Sequence, residues 1–287
     1  MTHGVHRVHP GDRLFLAAQA FTGAAFADAL ARIKAANAIN VAYSPDSLPF
    51  SFDKEGQPAG YSIDVCKRVI SQIGRAVGQP NLKVNWLAGS TPDRLKMVAS
   101  GKADLECGNT SQTLGRSANV DFSALVFLEM GGFVGRLDTK VQHLGEMGGR
   151  KIVVLKGTTT EQALRAELKK RLVNAEVLTV DRAADGMKMI DAGTADFYAG
   201  DRIKLLGLAT QAADPDKLAF VNDVFSYELY AFALPRNDSA LRLEVNRALS
   251  QLYRSGEIGT IYTQWLGALG KPPELIIAMY ALYGIPE

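Results

Sequence analysis

Cysteine and histidine are scarce in this chain: two of the first, Cys66 and Cys107, and four of the second in 287 residues. No Cys/His spacing suited to a metal centre occurs, and no serine elbow announces a nucleophile. Charge of one sign is missing as well. Lys and Arg number 32 against 30 Asp and Glu, intermixed along the chain, for a net +2. That balance, without a basic stripe or basic-aromatic interleaving, excludes a nucleic-acid footprint. No apolar run approaches the roughly 20 residues that span a bilayer. What remains is an ordinary globular composition, 47% apolar, with length enough for one large or two medium domains.

The first 27 residues stand apart. Leu14 to Ala27 reads LFLAAQAFTGAAFA, with Arg7 and Arg13 before it and the small-x-small triplet Ala25-Phe26-Ala27 at its end. Residues 1–27 are expected to be a secretory signal, with an amphipathic helix packed on the domain as the alternative. His3, His6 and His9 read as a tail that leaves with it rather than as a metal cluster. The two cysteines permit two readings. An oxidising compartment would allow a disulfide. Two buried free thiols fit equally well, because Cys66 sits in an apolar helical pattern and Cys107 at a strand end.

Beyond residue 28 the pattern alternates. Strands are expected over residues 40–43, 81–87 and 103–107, with a hairpin around Asp53-Lys54-Glu55-Gly56-Gln57 and helices over 63–77 and 91–100, the latter capped by Thr91. A second unit repeats this: strands 151–155, 175–179 and 195–199, and helices 158–173 and 183–192. Alternation of this kind implies mostly parallel sheets. The expected fold class is α/β, two lobes joined by two crossing strands near residues 127–133 and 226–233, with Gly131, Gly132 and Gly135 where a hinge would bend. The expected division is 28–130 and 229–287 for the first lobe and its tail, and 131–228 for the second.

One stretch carries most of the chemistry: Gly101 to Ser123, GKADLECGNTSQTLGRSANVDFS. A short strand runs into the polar elbow Gly108-Asn109-Thr110-Ser111, and Arg116 follows. A planar guanidinium beside hydroxyls and free N–H groups suits a small carboxylate. In the second unit, Gly157-Thr158-Thr159 opens a helix with Glu161 at capping-box spacing, and helix N-termini favour anions. Asp201 closes the strand ADFYAGD. Anion donors on one side and a carboxylate on the other are what a free amino acid needs.

In their order, these segments, with INVAYSPDSLPFSFDKEGQPAGYSIDV upstream and SGEIGTIYTQWLG downstream, resemble the polar amino-acid family of ABC-transporter solute-binding proteins. The resemblance runs from about Ile39 to Gly267 and is nearest to the glutamate/aspartate-binding subgroup, whose RL…G…D…ECG…T pattern spans Arg94 to Thr110. It implies the two-lobed periplasmic-binding-protein-like fold (type II), an extracytoplasmic, periplasmic location, a monomer, a membrane permease as partner, and no enzymatic activity, cofactor or metal. It implies that Arg116 and Thr158 hold a ligand α-carboxylate and Asp201 the ammonium. Thr159, Asn109, Thr110 and Ser111 would add contacts; Tyr43, Ser44, Asp46, Ser47, Thr91 and Arg94 would line the side-chain pocket. Ser44 and Ala183 stand where that subgroup has an arginine and a histidine, so a neutral or polar amino acid is expected over a dicarboxylic one. The alternatives are a glutamate/aspartate binder and a cyclohexadienyl-dehydratase-like enzyme, for which Glu106 and Glu228 would be the acid candidates.

Overall fold

A computed structural model describes residues 1–4 and 28–287. The signal reading falls, beyond residue 4, outside the described residues, as do His6 and His9. Asp28 caps α1 (Ala29–Ala36), accepting from the Leu30 N–H at 3.0 Å. β1 (Ala38–Tyr43) follows, then a small antiparallel sheet of β2 (Asp46–Ser47), β3 (Ser51–Lys54) and β4 (Gln57–Ala59). The expected hairpin is the β3–β4 pair. α2 (Tyr61–Val77) buries Ile63, Val65, Val69, Ile70 and Ile73, the residues whose spacing marked it, and Gly78 ends it in the left-handed region at φ 72°.

β5 (Lys83–Ala88) and β6 (Leu105–Glu106) flank β1 in parallel, with α3 (Thr91–Ala99) between them in sequence. Ser90, not Thr91, caps α3: its side chain accepts from the Asp93 N–H, and Thr91 is the first helical residue. The short α4 (Leu114–Ser117) leads into β7 (Asp121–Arg136), a 16-residue strand. The second unit holds β8 (Lys151–Leu155), α5 (Thr159–Lys170), β9 (Glu176–Val180), α6 (Ala183–Asp191), β10 (Phe197–Asp201), α7 (Arg202–Ala209) and β11 (Leu218–Phe220). β12 (Ser226–Leu234) returns to the first unit, followed by α8 (Ser239–Arg254), α9 (Glu257–Leu266) and α10 (Glu274–Tyr283).

β7 joins the halves. Along one stretch it pairs antiparallel with β12, along the other with β10 and β11, so that one sheet runs β5-β1-β6-β12-β7-β10-β8-β9. The hydrophobic cores divide on either side of it. One combines residues 29–127 with 230–280; the other two lie between residues 133 and 225. The expected crossings coincide with β7 and β12. The glycines of β7 sit where there is no room for a side chain. A Cβ on Gly131 would lie 2.2 Å from the Ser226 hydroxyl, and one on Gly135 2.4 Å from the Phe197 ring.

Cys66 on α2 and Cys107 just past β6 are bonded, with Cα atoms 5.9 Å apart, which decides between the two readings of the thiols. The carboxyl ends of the parallel strands gather the polar residues. Those of β1, β5 and β6 lead to Ser44, Gly89 and Gly108; those of β8, β9 and β10 lead to Gly157, Arg182 and Asp201. Ligand sites in open α/β sheets lie outside such ends. Among the described residues no helix is long and apolar enough to cross a membrane.

Candidate functional site

The two sets of strand ends face each other and touch. Asp46 Oδ2 accepts from the Ala183 N–H of α6 at 3.1 Å. The hydroxyls of Ser111 and Thr159 stand 3.3 Å apart. A Cβ on Gly157 would lie 2.9 Å from Pro92, and one on Gly207 3.0 Å from the Leu48 carbonyl oxygen. The cleft between the lobes is shut.

On the first lobe, Arg94 is 1% exposed and Glu106 is fully buried; Nε donates to Glu106 Oε1 at 2.7 Å. Nη1 of Arg94 donates to the Gly89 carbonyl, and Nη2 to the hydroxyls of Thr91 and Thr110 at 3.3 and 3.2 Å. Glu106 Oε1 also accepts from the Gly108 N–H and the Thr110 hydroxyl. A buried ion pair needs such satisfaction on both sides to offset desolvation. The elbow geometry forces a glycine at 108, because a Cβ there would lie 2.4 Å from Glu106 Oε1. Arg94 is therefore neither at the surface nor a free cation; its charge is matched.

Arg116, half-buried, is held by Nη1 on the Ser111 carbonyl at 2.7 Å, and its backbone N–H donates to Thr113, the cap of α4. Burial pulls its guanidinium pKa below the ordinary value, opposed by the fields of Glu106, Glu228 and Asp201. Those four charges and Arg94 thus share one neighbourhood.

On the second lobe, Thr158 caps α5 as its spacing predicts. Its hydroxyl donates to the Leu155 carbonyl and accepts from the Glu161 N–H at 3.1 Å, while Glu161 accepts from the Gly157 N–H. That hydroxyl is fully engaged, so what α5 presents to the cleft is main-chain N–H of its first turn. Asp201, 5% exposed, sits at the N-cap position of α7 but does not cap it. Its carboxylate instead accepts from Thr160 Oγ1 at 3.0 Å and from the Tyr230 hydroxyl, with Lys204 Nζ 3.8 Å away. The Asn109 side chain also reaches the Tyr230 hydroxyl.

The crossing strands contribute two acids: Glu228, which the sequence offered only as an acid candidate for the dehydratase-like alternative, and Glu129, which it did not offer at all. Glu228 of β12 accepts from Ser111 and Thr159, both at 2.6 Å and from opposite lobes, and from Ser226 at 2.8 Å. Glu129 of β7 accepts from the Met130 and Ile203 N–H groups, and burial, with Asp201 nearby, raises its pKa to about 8. Each is the one acid in a largely apolar stretch, ALVFLEMGGF and SYELYAFAL, and that was the available signal. Tyr43 stands aside: its ring meets Trp86 edge-on at 5.9 Å and its hydroxyl points to Asp53 at 3.4 Å. Ser44 is tied to Asp46, Ser47 and Ser51.

Two buried acceptors of this cluster, Glu106 Oε2 and Asn109 Oδ1, have no donor among the described residues. Among the described residues no group of His, Cys, Asp or Glu could hold a metal ion.

Two lobes braced by paired strands, closing on strand ends that carry Arg116 and Asp201, define a cleft-type solute-binding fold of type II. The chain belongs to the bacterial extracellular solute-binding proteins, family 3, whose profile matches residues 39–268. An L-glutamate/L-aspartate-binding protein of Pseudomonas aeruginosa is 27% identical over 238 residues, 82% of this chain and 79% of that one. A glutamine-binding protein of an ABC transporter from Bacillus subtilis is 25% identical, covering 83% and 85%. Among solved structures, an ancestral amino-acid-binding protein, a precursor of cyclohexadienyl dehydratase, superposes with TM-score 0.72 at 25% identity, over 83% of this chain and 99% of that one. A cysteine-binding protein of Campylobacter jejuni gives TM-score 0.74 at 20% identity, over 84% and 94%, a likeness of fold alone.

Proposed function

We propose that the protein captures a free amino acid with a neutral or polar side chain between its lobes and delivers it to the permease of an ABC importer. The observation that carries this reading is the opposed pair at the cleft: Arg116 on one lobe, and the buried Asp201 on the other with its carboxylate turned away from capping its own helix. Arg116 and the first-turn N–H groups of α5, at Thr158 and Thr159, take the ligand carboxylate; Asp201 takes the ammonium. A ligand ammonium also brings the donors that Asn109 Oδ1 lacks. Thr110 and Ser111 complete the wall, with Thr91, Arg94, Ser44 and Tyr43 behind it.

The lobes divide at residues 28–130 with 229–287, and 131–228, and the ligand favours the closed arrangement because its partners lie on both. The monomer works outside the cytoplasmic membrane, in the periplasm, where the Cys66–Cys107 bond persists, and a signal over residues 1–27 directs it there. The relatives named above bind solutes rather than transform them, and a buried carboxylate already committed to Arg94, as Glu106 is, supports binding over catalysis. Titration calorimetry with the proteinogenic amino acids tests the reading. Saturable binding of a neutral amino acid, returned unchanged, is expected; no heat with any amino acid would overturn it.

A further inference from the structure

We infer that Asp46 sets the charge class of the side chain that the closed cleft accepts; this rests on the amino-acid reading of the same cleft. Asp46 lies just past the carboxyl end of β1, and Ala183 just past that of β9, so the pair closes the cleft between strand ends of opposite lobes. The carboxylate is oriented from within its own lobe: Oδ1 accepts from Ser44 Oγ at 3.2 Å, and Ser44 Oγ is 2.8 Å from Ser47 Oγ. Oδ2 then reaches across to the Ala183 N–H.

α6 has no cap of its own. Arg182 occupies its N-cap position and makes no side-chain cap bond. Asp46 therefore completes a helix of the other lobe, and does so only when the lobes meet. A carboxylate at a helix N-terminus is favoured by the dipole and by the orphan N–H groups, so closure and this negative charge go together.

The cations buried at the strand ends are matched to acids, and Arg182, beside Ala183 at the start of α6, is turned out to solvent. Arg94 is paired with Glu106 and Lys204 faces Asp201. Arg116 lies among Glu106, Glu228 and Asp201, with the paired Arg94 beside them. An acidic ligand side chain would have to close against Asp46 uncompensated, whereas an amide, hydroxyl or ammonium would meet an acceptor. Ser44 and Ala183, the two positions that depart from the dicarboxylate-binding pattern, are the two residues that hold Asp46 in place.

The test is calorimetric titration of the intact protein with glutamine and glutamate, and of Asp46→Asn and Asp46→Ala. Asn keeps an acceptor for the Ala183 N–H and removes the charge; Ala removes both. The ratio of glutamate to glutamine affinity is expected to rise at least tenfold in Asp46→Asn, and likewise in Asp46→Ala, with both ligands bound more weakly by Asp46→Ala than by Asp46→Asn. A ratio unchanged within twofold in both variants overturns the inference while leaving the amino-acid reading standing. A wild-type protein that binds no amino acid overturns both.

Discussion

The Tyr230 hydroxyl, on a crossing strand, donates to Oδ2 of Asp201 at the head of α7, and both groups are buried. The bond ties the carboxylate proposed for the ligand ammonium to the strand about which the lobes meet. Asp201 also leans on Thr160 and Lys204, so its position is fixed from several sides.

Tyr230→Phe leaves that buried acceptor one donor short without opening a large cavity. The expected cost is about 1–3 kcal/mol of stability, the penalty for an unsatisfied buried polar group. Urea denaturation of both proteins measures it. A difference below about 0.5 kcal/mol, the ordinary scatter of neutral substitutions, would mean that Tyr230 does not support Asp201.

Arg116→Ala is expected to remove most amino-acid affinity in a protein that remains folded. Truncating one partner of a buried charge pair costs roughly 2–5 kcal/mol, a loss of some thirtyfold or more. Arg116 is half-buried and holds one main-chain carbonyl, so the fold does not hang on it. Calorimetry with the tightest-binding amino acid, alongside circular dichroism, separates the two effects. Native affinity in a folded variant would remove Arg116 from the site.

Much of this is legible in the sequence. The α2 stripe, the helix starting after Thr158 and the return strand through Tyr230 follow from periodicity and capping chemistry, which are local. Asp201 and the Gly108–Ser111 elbow stand out because they sit at strand ends. The cap of α3 is misplaced by one residue, since Ser90 and Thr91 are both competent caps and only geometry separates them. Long-range partnerships are not legible. Asp46 and Ala183 are 137 residues apart, and Glu228 and Ser111 117 apart, so no spacing rule connects them. Arg94 illustrates the same limit: by resemblance it is expected to line the side-chain pocket, while β6 brings Glu106 to its Nε.

That ion pair yields its own expectation. Arg94→Met leaves a fully buried carboxylate uncompensated, and about 3–5 kcal/mol of stability should be lost. Adding Glu106→Leu removes the stranded charge, and the double variant should recover at least half of the loss. Chemical denaturation of the two single variants and the double variant gives the coupling energy. Additive losses would show that the pair does not act as a unit.

The last expectation concerns Glu129, whose pKa is raised from 4.5 to about 8 by burial and by the nearby Asp201. A folded-state value above the unfolded one means that the native protein holds a proton the unfolded chain releases. The stabilising contribution is therefore complete below about pH 4.5 and is lost progressively as pH rises to about 8. Its slope cannot exceed about 1.4 kcal/mol per pH unit for one proton. Glu129→Gln is neutral at every pH and keeps an acceptor for the Met130 and Ile203 N–H groups. Denaturation midpoints of both proteins at pH 5, 6.5 and 8 should therefore diverge, the wild type falling relative to the variant as pH rises. Because Glu129 lies on β7 and accepts from the first turn of α7, ionising it also places charge between the crossing strand and that helix. Parallel pH profiles for the two proteins would show that Glu129 ionises without cost, and that the carboxylate is better solvated at the strand crossing than its burial implies.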